Sequence, residues 1–124
     1  MPSAVERYRT TQATTASRER LFVLLLEKAL RCIREGAEAL ETGRRGDSVA
    51  PLTRASDIVV ELLSTLDPAR APELTAQLGA VYQFVCARLT RAVLGEVRAA
   101  RDAERALEPL VDGFSRAVAS LEAR

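Results

Sequence analysis

The sequence predicts an all-α fold, an antiparallel up-down helical bundle of four main helices with a flexible N-terminal arm, and three observations carry that expectation. Alanine, leucine, arginine and glutamate dominate while aromatics make up only 4% of the chain, the composition of helices packed on helices. Apolar residues recur at three- and four-residue intervals through four segments. Glycines and prolines punctuate the chain between those segments, and connections this short set consecutive helices side by side and antiparallel. At 124 residues the chain is long enough for one core that needs neither disulfides nor metals. The expected organisation is an arm over residues 1–14 and a bundle over residues 15–124.

The first helix is expected from about Ser17 to Thr42. Thr15 or Ser17 can cap it, and Phe22, Leu26, Ala29, Ile33, Ala37 and Leu40 form its inward stripe. Leu21 to Leu26 is apolar without a break, which covers every side of a helix. Such a helix is either buried between several neighbours or leaves apolar surface for a partner. Gly43 stops it. Asp47 or Ser48 is the expected cap of a second helix with Pro51 in its first turn and Leu52, Ala55, Val59, Leu62 and Leu66 facing inward. Asp67-Pro68 ends that helix, because proline disfavours helical geometry in the residue before it. Pro72 suits the first turn of a third, lined by Leu74, Leu78, Val81, Val85, Leu89 and Ala92. A fourth begins between Gly95 and Asp102 and carries a heptad seam of Ala100, Ala103, Leu107, Leu110, Phe114, Ala117 and Leu121. Pro109 lies inside the seam and predicts a kink or local break there.

The residues exclude much common chemistry. With no histidine, the chain lacks imidazole as a general base or metal ligand, and a di-metal carboxylate bundle with Glu-x-x-His pairs is ruled out. Cys32 and Cys86 have neither zinc-site nor disulfide-framework spacing and read as small buried residues in a reducing compartment. Gly43 and Gly46 do not build a phosphate loop. The pair Asp57 and Glu61, and the run Asp102, Glu104, Arg105 and Glu108, read as solvated helix faces rather than acid–base sites. Lys+Arg 18 against Asp+Glu 17 gives a formal charge of +1, so no global field draws in nucleic acid. No apolar run reaches membrane-spanning length and no secretory h-region opens the chain, so a cytoplasmic protein without membrane insertion is expected. Neither enzyme activity nor any cofactor is expected.

What remains is apolar excess beyond the four stripes: Leu21, Val23, Leu24 and Leu30 on the first helix, Ile58 and Leu63 on the second, Tyr82, Phe84 and Cys86 on the third. Part of it belongs to the core. A small bundle with broad apolar faces is nevertheless suited to receive a partner's amphipathic helix.

Several stretches taken in order resemble the FliS family, the flagellin-specific export chaperones of bacterial flagella. Tyr8, Thr14-Thr15-Ala16-Ser17 and Leu21 with the apolar helix after it are similar to the family's start. Ala55-Ser56-Asp57-Ile58-Val59-Val60-Glu61-Leu62 and Ser64-Thr65-Leu66-Asp67 look like its second helix and Ser-x-Leu-Asp ending. Leu78, Val81-Tyr82 and Arg88-Leu89 are similar to its third-helix Leu-Tyr and Arg-Arg-Leu run. Arg18 stands where the family usually has proline, Leu26-Glu27-Lys28 replaces a common Tyr-Asp-Gly, and the tryptophan frequent near the end of the family's last helix is missing.

The resemblance implies a cytosolic chaperone that binds the disordered C-terminal segment of flagellin, hides its self-association surface and keeps it competent for type III export, with the flagellar export gate as a further candidate partner. Residues expected to meet flagellin are Tyr8 on the arm, Leu21 and Leu24 on the first helix, and Ile58, Leu62, Leu78, Tyr82 and Val85 as a groove on the second and third. Free, the protein is expected as a monomer or weak homo-oligomer. The competing expectation is a homo-oligomeric structural or regulatory module whose spare apolar faces meet each other.

Overall fold

The structure, a computed structural model, describes Ser3 and residues 18–123. Four helices make up nearly all of it: α1 (Arg18–Glu41), α2 (Arg45–Ser64), α3 (Pro72–Val93) and α4 (Val97–Glu122). Each packs on its neighbours in sequence, and α4 closes the ring against α1. Ion pairs give the sense of that closure. Arg20 pairs with Glu122, Arg34 with Glu104 and Glu108, and Glu41 with Arg101, so partners on α4 fall in number as those on α1 rise. The two helices are therefore antiparallel.

Local chemistry sets the corners. At the end of α1, Gly43 takes φ 74°, the Arg44 amide reaches the Ala39 carbonyl at 2.7 Å and the Gly43 amide reaches Leu40. At the end of α3, Gly95 takes φ 104°, with the Glu96 amide on the Arg91 carbonyl and the Gly95 amide on Ala92. Both are Schellman endings, in which a left-handed glycine lets orphan carbonyls find donors. The two corners touch, since the Arg45 guanidinium donates to the Leu94 carbonyl at 2.7 Å. The third corner, between α2 and α3, is organised by Asp67. Its side chain accepts the Ala69 amide at 3.0 Å, and its carbonyl accepts from the amides of Arg70 and Ala71 and the hydroxyl of Thr75.

Burial follows the expected stripes and then exceeds them on α1. Leu26, Ala29, Ile33, Ala37 and Leu40 are in the core as their spacing requires, and Leu21, Val23, Leu25, Leu30 and Cys32 are buried as well. More than half the circumference of α1 is thus enclosed, and the six-residue apolar run is explained mainly by neighbours within the bundle. On α2 the core takes Leu52, Ala55, Val59 and Leu62 together with Ile58; on α3 it takes Leu78, Val85, Leu89 and Ala92 together with Tyr82. Leu74, expected inward, is exposed because it lies in the first turn of α3, beyond the end of the core.

Three local expectations change. Helix α2 starts at Arg45, before Asp47 and Ser48, so neither is its cap; the Ser48 hydroxyl is buried and donates to the Arg45 carbonyl at 2.6 Å. Pro51 consequently lies well inside the helix rather than in its first turn. It is tolerated because the carbonyl it leaves without a helical donor belongs to Asp47, at the exposed start of the helix. Helix α4 runs unbroken through Pro109. Pro109 and Arg105, whose carbonyl loses its donor, are both exposed, so the lost bond costs less there than it would in the core. The proposed caps Thr15 and Ser17 and the arm apart from Ser3 fall outside the described residues.

Candidate partner-binding surface

The sequence-derived residues separate sharply by burial. Ile58, Leu62 and Leu78 are 4%, 2% and 6% exposed, Tyr82 and Val85 are fully buried, and Leu21 is 8% exposed. In this conformation those six offer almost nothing to a docked helix; they hold the helices together. Leu24, at 39%, is exposed, and Tyr8 lies outside the described residues. Five of the six sit on α2 and α3: Leu62, Leu78 and Val85 belong to the inward stripes themselves, and Ile58 and Tyr82 lie beside them. A stripe widened by one residue is the ordinary result of packing a helix against two neighbours rather than one.

Several large apolar side chains besides Leu24 are exposed. Val60, Leu74, Leu94 and Leu121 are exposed, and so is Phe84, at 48%. Two flanks gather them. On the first, the close approach of Gly36 to Leu52 fixes the register of α1 against α2, which brings the level of Leu24 and Lys28 opposite Val60 and the half-buried Leu63. On the second, the Arg88–Asp102 pair at 3.1 Å fixes α3 against α4 and brings Phe84 to the level of Ala106 and Leu110, both half-buried. By register each flank brings apolar side chains of two neighbouring helices to one level, and a surface of that kind suits the stripe of a third helix.

The charged residues are more organised than a solvated face requires. Arg101 donates to Glu41 at 2.6 Å and to Glu104 at 2.9 Å, and Arg34 donates to Glu104 at 2.8 Å. Burial pushes the Glu104 carboxyl up, but hydrogen bonds from Arg34 and Arg101 more than offset it, and the group titrates below its ordinary value. Hydrogen bonds from Arg101, Arg91, Arg105 and Arg20 likewise hold Glu41, Glu96, Asp102 and Glu122 low. Of Arg88, Arg91, Arg98, Arg101 and Arg105, the densest basic stretch in sequence, all but the exposed Arg98 are thus engaged with carboxylates. The partners of Arg88, Arg91 and Arg105 are close in sequence, but the pairs across α1 and α4 are not legible there, because Arg101 and Glu41 are 60 positions apart and Arg20 and Glu122 are 102 apart.

An open cleft of about 670 Å³ lies between α1 and α4, with Leu30 and Val111 on its floor and Arg34, Glu108, Asp112 and Ser115 around it. Leu30, part of the apolar excess of α1, lines it, whereas Leu21, Leu24, Ile58, Leu62, Leu78, Tyr82 and Val85 do not. Among the described residues no group of three or more Cys, Asp or Glu is placed to hold a metal ion, and no helix is long and apolar enough to cross a membrane. The free thiols are Cys32, buried, and Cys86, half-buried and pushed up in pKa by that burial.

These features define a class: a four-helix bundle with an apolar core, ion pairs that tie α4 to α1 and to α3, and exposed apolar side chains on its flanks. The chain matches the family described as flagellar protein FliS over residues 1–121, and it belongs to that family. It is 33% identical over 85 residues to the flagellar secretion chaperone FliS of Bacillus subtilis (strain 168); the aligned part is 68% of this chain and 62% of that relative, less than two thirds of the relative's length.

Proposed function

We propose that this protein is a flagellar export chaperone that binds the C-terminal segment of flagellin and prevents its premature polymerisation, acting by burial of an apolar surface rather than by catalysis. The observation that carries the reading is the family match across residues 1–121, beside a relative whose own name is flagellar secretion chaperone. The geometry is compatible in a specific way. An amphipathic helix laid along the Leu24–Val60 flank or the Phe84–Leu110 flank buries apolar residues of its own against half-covered ones of the bundle. Ordering such a segment costs about 2 to 5 kcal/mol, so such a surface binds releasably rather than permanently. That suits a protein that must surrender its cargo.

In this reading Leu24 touches flagellin directly, while Ile58, Leu62, Leu78, Tyr82 and Val85 shape the flanks from beneath by fixing the positions of α2 and α3. Tyr8 and the export gate belong to the same proposal, as does a cytoplasmic location. The test is co-purification with the flagellin of the same bacterium, full-length and lacking its C-terminal segment. Complex formation with the first and none with the second is the expected result. An unchanged complex after the deletion overturns the mode of binding. Self-association of the chain without flagellin, dependent on concentration, favours the structural-module alternative.

A further inference from the structure

Helix α4 is built in two unequal parts. Its first part gives the core Ala99, Ala100, Ala103, Leu107 and Val111, and the contribution of α4 to the main core ends there. Beyond Val111 one residue, Val118, is buried, and it lies outside the main core cluster. The heptad seam shows the same decline: Leu110 and Phe114 are half-buried, Ala117 is exposed and Leu121 is 51% exposed. Two helix-weakening residues mark the change. Pro109 leaves the Arg105 carbonyl without a helical donor, and Gly113, one turn later, has the highest backbone freedom of any residue.

The last part of α4 is held by the burial of Val118, by Phe114 at the edge of the core, and by two ties to α1. The Phe114 ring meets Phe22 edge-on at 5.0 Å between centroids, and the Glu122 carboxylate accepts from the Arg20 guanidinium near the surface. An edge contact and a surface ion pair are each weak relative to the packing that anchors Leu107.

We propose that residues 112–122 form a hinged flap, pivoting at Pro109–Gly113, that opens as a unit while residues 97–111 stay packed. Opening separates Phe114 from Phe22. By register it also uncovers the level of Leu21 and Leu26 on α1 and of Leu78 on α3. The flap is thus a device by which a sealed end of the bundle is exposed without unfolding the rest, in the manner of a low-stability cooperative unit. The flap opens in the free chain, whatever the partner.

Native-state hydrogen exchange on the free protein, followed in low denaturant, tests it. The amides of residues 113–120 are expected to exchange through one shared opening, at least about a hundredfold faster than those of residues 99–107. Pro109→Ala restores the missing helical bond and is expected to slow exchange of 113–120 by about tenfold or more, leaving 99–107 little changed. Gly113→Ala, whose added methyl meets open space, is expected to act in the same direction by several-fold. Arg20→Ala is expected to speed exchange of 113–120 alone. Equal protection along α4, or a gradual fraying inward from Glu122 that is indifferent to Pro109→Ala, overturns the proposal.

Discussion

Two residues carry a disproportionate share of the packing specificity. Gly36 is where α1 comes nearest to α2: a Cβ built there overlaps the side chain of Leu52, which is itself fully buried and has no room to retreat. Gly36→Ala is therefore expected to destabilise the bundle by about 1 to 3 kcal/mol despite alanine's better helix propensity, seen as a fall of several degrees in Tm. Tyr82 presents the opposite case. Its ring fills the core, yet its hydroxyl is buried and meets no hydrogen-bond partner among the described residues, and burial pushes the pKa of the phenol up. Since an unpaired buried hydroxyl is a cost, Tyr82→Phe is expected to be neutral or to stabilise by about 1 kcal/mol in thermal or urea unfolding. Tyr82→Ala empties a large core site and is expected to cost about 3 to 5 kcal/mol. Ile58→Asp places a charge in the same apolar core, so loss of flagellin binding in either variant must be read together with loss of fold. Gly36 was not legible in the sequence, because a glycine inside a helical pattern shows its purpose only when the neighbouring helix is in place.

Between elements, the pairing of α1 with α4 differs in kind from the other seams. It combines apolar contact with a line of ion pairs from Arg20–Glu122 through Arg34–Glu104 to Glu41–Arg101. Arg101 is central, donating to a carboxylate on each helix. Both helices still pack through their apolar faces without it. Arg101→Met is accordingly expected to lower stability by about 1 kcal/mol in chemical denaturation, and Arg101→Lys by a similar amount, since a single ammonium does not reproduce the two-sided fork. Helix boundaries were largely legible: Gly43, Pro72 and Gly95 stand within a residue or two of the ends they were expected to set. The errors came where local chemistry was overruled. Asp47 and Ser48 are good caps, but α2 begins before them and leaves Arg44, without a capping side chain, at its start. Pro109 is a helix breaker in isolation, but the packing of Ala103, Leu107 and Val111 carries α4 through it.

For the whole molecule the ion pairs predict sensitivity to acid. The carboxyls of Glu41, Glu96, Asp102, Glu104 and Glu122 are all held below their ordinary values of 4.5 for glutamate and 3.8 for aspartate. In that situation the unfolded chain binds more protons than the folded one as pH falls, so their contribution is complete above the unfolded values and is lost through the lower, folded ones. Tm is expected to be flat near neutrality and to fall progressively below about pH 4.5, with part of the dependence removed by high salt because most of these groups are solvent-exposed. A Tm that stays level down to pH 3 would remove these ion pairs from the account of stability.

Composition and periodicity by themselves determined the class of fold, the number of helices and most of the core, because burying an apolar stripe on a 3.6-residue helix leaves few alternatives for a chain of this length. The order of the Ser17, Ser64-Thr65-Leu66-Asp67 and Tyr82 motifs likewise pointed to the family. Tertiary structure decided which apolar residues beyond the stripes are core and which are surface. Ile58 and Tyr82 lie inside and Leu24 and Phe84 outside, because each helix rotates to satisfy two neighbours at once. It also decided the pairing of Arg20, Arg34 and Arg101, since the carboxylates that engage them across the bundle arrive from the far end of the sequence only when α4 closes on α1.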